Sequence, residues 1–307
     1  MLRAAGVWGT CGVRRMRIAE GLVLGVCLAA ITASAASEPS PIPNFSGMWG
    51  HQSLPGFEPL ASGPTSLTNL SRANGVSNYD QLVGDYNNPI LKPASAQLVK
   101  KFGELSEAGM TYPSPANQCW PEPVPFIYKN FGMEMLQERE QITFLYNEGP
   151  DVRRVRLNQP HPAHVTPSWY GDSVGHYEGD TLVIDTIGTR TDRPYPMIDL
   201  YGTPYTGALH VIERYRLIDY DAAQDGLQRD AKENRRIPGD LDPNYRGKFL
   251  QVVFTVEDEG VFTTPWSATI TYRPGREPFS ETVCAENLHE YYNNADSNVP
   301  KSDKPDF

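Results

Sequence analysis

Between residues 160 and 186 the chain reads PHPAHVTPSWYGDSVGHYEGDTLVIDT, placing His161, His164 and His176 beside Asp172, Glu178, Asp180 and Asp185. Imidazoles interleaved with carboxylates suit general acid/base chemistry, because a carboxylate fixes the imidazole tautomer and supports its charged form. The same residue types also bind divalent metals. Pro160 and Pro162 bracket His161 and exclude a helix, so the three-residue spacing to His164 does not put both on one helical face. Joint chelation would need a turn and a third ligand from His176, His210 or Asp172. No HExxH, CxxC or EF-hand spacing is present. The favoured reading is a stiff loop with one functional histidine, His161, and neither metal nor organic cofactor.

The second half of the stretch has a readable register. Glu178-Gly179-Asp180-Thr181 fits a tight hairpin turn with Gly179 at the position of unusual φ. Glu178 then pairs with Thr181, His176 with Val183 and Val174 with Asp185. That register makes His176 and Asp185 diagonal neighbours on the face that also carries Asp172.

A further candidate lies on ALHVIERYRLIDY, where Leu209, Val211, Tyr215 and Leu217 alternate onto one apolar face with Glu213 among them. A carboxylate in that setting is costly unless paired; an unpaired one would suit acid catalysis. The structural alternative is an inward arginine, with Arg154 and Arg156 of VRRVRLN as the candidates. The catalytic set is therefore His161, His176, Asp185 and Glu213. His164, Trp169, Tyr170, Asp172, Tyr177, His210 and Tyr215 are the binding candidates, since aromatic and histidine side chains hold apolar or aromatic ligands. The competing reading is a polar hairpin face turned to water over an aromatic core.

What must position these groups is a β-rich scaffold behind an export signal. Arg14, Arg15 and Arg17 precede the apolar run 21–31 and Ala33-Ser34-Ala35, the layout of a signal peptide over residues 1–35. The run is too short to span a bilayer, and no second one approaches the ~20 residues required. The expected product is an exported, periplasmic or secreted chain of a single domain, 36–307, without membrane insertion once the signal is cleaved. It carries 23 basic and 36 acidic residues, a net charge of about −13, which argues against nucleic acid and anionic membranes. Cys119 and Cys284 are its only thiols, and in an oxidising compartment they read as one disulfide.

Residues 36–92 look like an irregular arm with one strand, FSGMWG, whose Gly-x-Trp resembles the first strand of lipocalin-like barrels. Residues 93–109 form the one convincing helix, with Leu98, Val99, Phe102 and Leu105 as its apolar stripe. The proline-rich segment 112–135 reads as an extended cover. From Gln141 onward the period is two: QITFLYNEG, VRRVRLN, the hairpin, ALHVIERYRLIDY, KFLQVVFTVED, WSATITYRP and FSETVC. The fold class is all-β with one peripheral helix, an antiparallel meander closing into a lipocalin-like barrel. A two-sheet sandwich is the alternative.

In order along the chain, PNFSGMW, CWPEPVPF, HPAHVTPSWYGDSVGHYEGDTLVIDTIG, ALHVIERYR and TVEDEGVFTTPW together resemble an uncharacterised family of exported bacterial β-rich proteins. The resemblance spans residues 43 to about 287. It implies export and one β-rich domain, with no catalytic residues to carry over. It departs at CWPEPVPF, where members of that family carry Gly and Arg, so no arginine contact to phosphate or carboxylate is expected from that stretch.

Two functions follow as expectations, with a metal-binding protein using the His161/His164/His176 region as a further alternative. One is an enzyme acting on a small apolar or aromatic molecule by cofactor-free acid/base chemistry, of hydrolase, lyase or isomerase type. The other is a non-catalytic lipocalin-like binding protein. They are distinguished by whether the histidines and Glu213 share one cavity or the histidines sit on the outer rim.

Overall fold

Alternating apolar residues produce a sheet that closes on itself. The computed structural model describes residues 42–51, 56–110, 112–129, 132–147, 151–193, 195–233, 242 and 244–275. The signal segment, FSETVC and Cys284, the expected partner of Cys119, lie outside the described residues.

In chain order the elements are β1 (Gly47–Gly50), β2 (Glu58–Pro59), β3 (Arg72–Ala73), β4 (Val76–Ser77), α1 (Pro93–Glu107), β5 (Gly132–Gln137), β6 (Gln141–Tyr146), β7 (Val152–Leu157), β8 (Asp172–Glu178), β9 (Thr181–Ile187), β10 (His210–Ile218), α2 (Tyr220–Glu233), β11 (Phe249–Glu257) and β12 (Trp266–Pro274). Strands β5 to β12 follow one another in space. β1 pairs with β5 on one side and with β12 on the other, closing a nine-stranded barrel. Trp49 lies buried on that closing strand, its indole N–H donating to the Phe45 carbonyl at 2.8 Å.

The expected antiparallel meander holds except at one seam. β7 and β8 run parallel, paired only through Arg156–Val174 and Leu157–Gly175. Antiparallel neighbours can join through a two-residue turn, whereas a parallel pair needs a long crossover. Here the crossover is 158–171, the proline-stiffened half of the histidine-rich stretch. It lies along the chain that leaves β9: Ser168 N–H donates to Gly188 O at 3.1 Å and Arg190 N–H to Ser168 O at 2.9 Å.

Two expectations for the covering segments need correction. Residues 132–135 are not an extended cover but the start of β5, and Phe126–Lys129 before it form a 3₁₀ turn that buries Phe126, Ile127 and Tyr128 in the barrel. Helix α1 ends near Gly109, whose φ of +70° suits only glycine without strain. Its buried face, however, is Ser95, Val99 and Gly103, with Leu98 44% exposed. A second helix, α2, occupies the connection between β10 and β11 and packs on β2, β4, β11 and β12. Arg229 on α2 donates to Pro59 O at 2.9 Å, which fastens it to β2.

The barrel interior is packed, with rings of Phe57, Tyr128 and Trp266 around Phe254 at centroid distances of 5.0–6.0 Å. Within it Arg153 of β7 meets Glu213 of β10, both essentially without exposure. Glu213 Oε1 accepts from Arg153 Nη1 at 2.9 Å, from Tyr215 at 2.7 Å and from Tyr128, and Oε2 accepts from Arg153 Nη2. The rest of the guanidinium donates to Ser173 Oγ of β8 at 3.1–3.2 Å and Thr186 Oγ1 of β9 at 2.7 Å. Burial first, and then the Glu213 charge, push the Tyr128 and Tyr215 hydroxyls well above the usual tyrosine range. The inward arginine is thus Arg153, not Arg154 or Arg156, because Arg153 shares its strand face with Val155 and Leu157.

A buried pair broken on one side leaves an uncompensated charge, which costs ~3–5 kcal/mol. Arg153→Met should lower the unfolding free energy in urea by about that amount, whereas Arg153→Met/Glu213→Gln should recover at least half of it. Strictly additive losses in the double variant would refute the coupling.

Candidate functional site

Strand parity divides the candidates between the two faces of the sheet. The β8–β9 pairing is the expected one, Glu178–Thr181, His176–Val183 and Val174–Asp185, around Gly179 at φ +62°. Asp185 pairs with Ile212 and Ile184 with Glu213, so Asp185 faces outward where Glu213 faces inward. Glu213 and Tyr215 therefore lie in the core, on the opposite side of the wall from the histidines.

On the outer face four strands bring acids and imidazoles together at one end of the barrel. His210 opens β10 directly opposite Glu257 of β11, with Nδ1 3.3 Å from Glu257 Oε2. Its Nε2 lies 3.1 Å from Asp185 Oδ1. His161, held in the crossover between its flanking prolines, lies over β8 and β9. Its Nδ1 is 2.6 Å from Asp172 Oδ1 and its Nε2 3.0 Å from Asp185 Oδ1. Arg156 Nη2 completes the row at 2.7 Å and 2.8 Å from the two Asp172 oxygens. The result is a continuous chain Arg156–Asp172–His161–Asp185–His210–Glu257, part-buried along its length.

His176 does not reach Asp185. Asp185 has two diagonal neighbours on β8, Asp172 and His176, and side-chain contact forms on the Asp172 side, through His161. His176 instead places Nε2 3.1 Å from Glu178 Oε1, and Arg214 donates to the same carboxylate. The hydrogen bonds from Arg214 and then His176 hold the Glu178 carboxyl below its ordinary range. This second cluster is open to water.

The remaining binding candidates are scattered. His164 is exposed on the crossover. Tyr177 is half-buried and accepts from Gln137 Nε2 at 2.9 Å. Tyr170 donates to the buried Asp151, and desolvation with that charge raises its hydroxyl above the usual range. Trp169 is the centre of a cationic–aromatic patch: the Arg190 and Arg193 guanidinium carbons lie 4.8 Å and 5.0 Å from its ring centroid. Arg193 also lies 5.6 Å from the Tyr205 ring. Beside the patch is a surface depression of about 350 Å³ lined by Pro167, Arg190, Thr191 and Asp192. Among the described residues no three His, Cys, Asp or Glu are arranged to hold a metal ion.

Arg153, Arg193 and Glu257 were not singled out from the sequence, and Arg156 was weighed only as an inward partner of Glu213. For Arg156 and Glu257 the signal lay in strand alternation, which puts them outward toward the acids and histidines. Arg193 sits in an irregular loop and gives no periodic signal.

Asp185 and His210 support each other electrostatically. The Asp185 hydrogen bond raises His210 above 6.5, against a smaller opposing effect of burial, and His210 lowers Asp185 below 3.8. A raised histidine stabilises fully below its unfolded pKa and loses that contribution as pH rises through the folded value. A lowered carboxylate stabilises above its unfolded pKa and loses it as pH falls through the folded one. The contact is therefore strongest between roughly pH 4 and 6.5 and fades on the alkaline side. Hydrogen exchange in the strands around His210 should be slower at pH 6 than at pH 8.5, after correction for intrinsic rates, and His210→Gln should remove the difference. An unchanged difference in His210→Gln would count against the linkage.

His161 also clasps the crossover to β8 and β9. His161→Ala should speed amide exchange throughout 158–171 while lowering global stability by only about 1 kcal/mol, as expected for part-exposed contacts. Exchange confined to the mutated residue would contradict the clasp.

Known protein families, curated protein sequences and solved structures yield no match to this chain.

Proposed function

We propose that this chain is an exported barrel protein that binds a small, largely aromatic molecule at the end of the barrel, without chemically transforming it. One observation carries the reading: the groups suited to proton transfer already face protein partners. A general base must turn a ring nitrogen toward the proton it abstracts. Both nitrogens of His161 and of His210 face carboxylates, Asp185 Oδ1 faces two imidazoles, and Glu213 is enclosed by Arg153, Tyr128 and Tyr215. In this arrangement they hold the crossover loop and the wall rather than a reactant.

The ligand's place is outside the barrel, because the interior is filled with side chains. The depression beside Arg190 offers a concave surface, and Trp169 close by supplies an aromatic plane. This departs from a lipocalin-like calyx while keeping the binding function. The signal layout, the expected Cys119–Cys284 bridge and the resemblance to exported β-rich proteins belong to the same reading, as does a small-molecule partner in place of nucleic acid or membrane.

A thermal-shift screen of small aromatic compounds on the mature chain tests it. Ligand at a hundredfold its Kd should stabilise by about 2.7 kcal/mol, and Trp169→Ala should abolish the response while His176→Ala keeps it. Turnover of esters, lactones or phenolics that disappears in His161→Gln would overturn the proposal in favour of catalysis.

A further inference from the structure

Arg193 is the one side chain of the patch whose hydrogen bonding is conspicuously incomplete. It is 7% exposed, and Nη1 donates to the Pro121 carbonyl at 3.0 Å. Among the described residues Nε and Nη2 are buried without a well-formed hydrogen bond, the Tyr205 hydroxyl being the one polar side-chain group that acts on the guanidinium at close range. These two nitrogens form one edge of the guanidinium, two parallel N–H donors matched to the two oxygens of a carboxylate or phosphate. Arg190, in the same patch, shows that edge in use: Nε and Nη2 reach Asp192 Oδ1 and Oδ2 at 2.7 Å and 2.8 Å. A buried cation with an empty fork is costly, so its retention calls for a partner.

The surroundings narrow what that partner is. The Trp169 and Tyr205 rings lie against the guanidinium, and Arg190 adds a second positive charge. Glu122 adds a weaker negative influence on Arg193, and its Oε1 lies 3.3 Å from Lys129 Nζ. Flat aromatic walls around a flat fork favour a planar oxyanion attached to a ring.

We propose that the Arg193 Nε/Nη2 edge is an anion seat that takes the carboxylate of a small aromatic acid, with the ring against Trp169. This deepens the binding reading above and rests on it, since it names the class of ligand that the patch holds. The shared chemistry is a pair of oxygens at carboxylate spacing, which inorganic phosphate also offers.

The test is calorimetric titration and thermal shift of the mature chain with benzoate, acetate and phosphate, with chloride at matched ionic strength as the reference. Benzoate should bind at least tenfold more tightly than acetate or phosphate, with no shift from chloride. Arg193→Lys keeps the charge and loses the fork, and should weaken benzoate at least tenfold. Arg193→Met should fold with an unbound melting temperature no lower than that of the parent, because it removes an unpaired buried cation; a purely structural arginine would instead cost stability. Phosphate binding equal to or better than benzoate, or an unchanged benzoate affinity in Arg193→Lys, overturns the carboxylate seat. Trp169-dependent binding of uncharged aromatics alone would leave the binding reading standing and sink the seat. No response to benzoate or to any aromatic compound would sink both.

Discussion

The ion pair between Arg153 and Glu213 is the constraint on which the barrel wall depends. The parallel seam between β7 and β8 rests on only two residue pairs, as few as the β1–β12 closure of the wall. Arg153 crosses that seam inside the barrel to Ser173 and continues to Thr186 and Glu213, so one guanidinium ties β7, β8, β9 and β10. Arg156, three residues later, crosses it on the outside to Asp172. Because Arg153 bonds inward and Arg156 bonds outward, a slip of one residue would turn both to the wrong face. Tyr128 binds the same carboxylate and thereby locates the proline-rich segment that precedes β5.

The outer row of acids and imidazoles follows from that seam. A parallel pair requires a crossover, and a crossover without a helix must be held down by contacts of its own. Asp172, fixed by Arg156, and Asp185, fixed by His210, supply those contacts to His161. The row therefore links sequence-distant segments in the way a capping interaction links a loop to a helix. Part-exposed ion pairs contribute little individually, but here each partner is already ordered by the next, which reduces the entropy lost per contact.

Much of this was legible in the chain, and the failures have identifiable causes. The hairpin register of β8 and β9 could be counted from Gly179, because side-chain period and turn length fix it. Glu213 was readable as inward and in need of a cation for the same reason. The choice between Asp172 and His176 as the diagonal neighbour that serves Asp185 was not readable, since it depends on where the crossover places His161. Parity applied to VRRVRLN selects Arg153, because it lies two residues before Val155 and four before Leu157, whereas Arg154 and Arg156 have the opposite parity. The strand β5 was hidden by the prolines before it, and α2 by the polarity of YDAAQDGLQRDAKE, whose buried Ala223 and Gly226 are too small to give an apolar stripe.

The distinction between holding and acting rests on which polar groups remain unmet. Buried donors and acceptors in folded proteins are nearly all paired, so a saturated cluster explains itself as structure while an unsatisfied one calls for a ligand. By that measure the histidine-rich stretch, which has the residue types of a catalytic site, is occupied by its own contacts. The loop after β9, which has no sequence motif, carries an arginine with two unmet donors between aromatic rings. Residue type and spacing locate the first; only the accounting of hydrogen bonds in the folded chain locates the second.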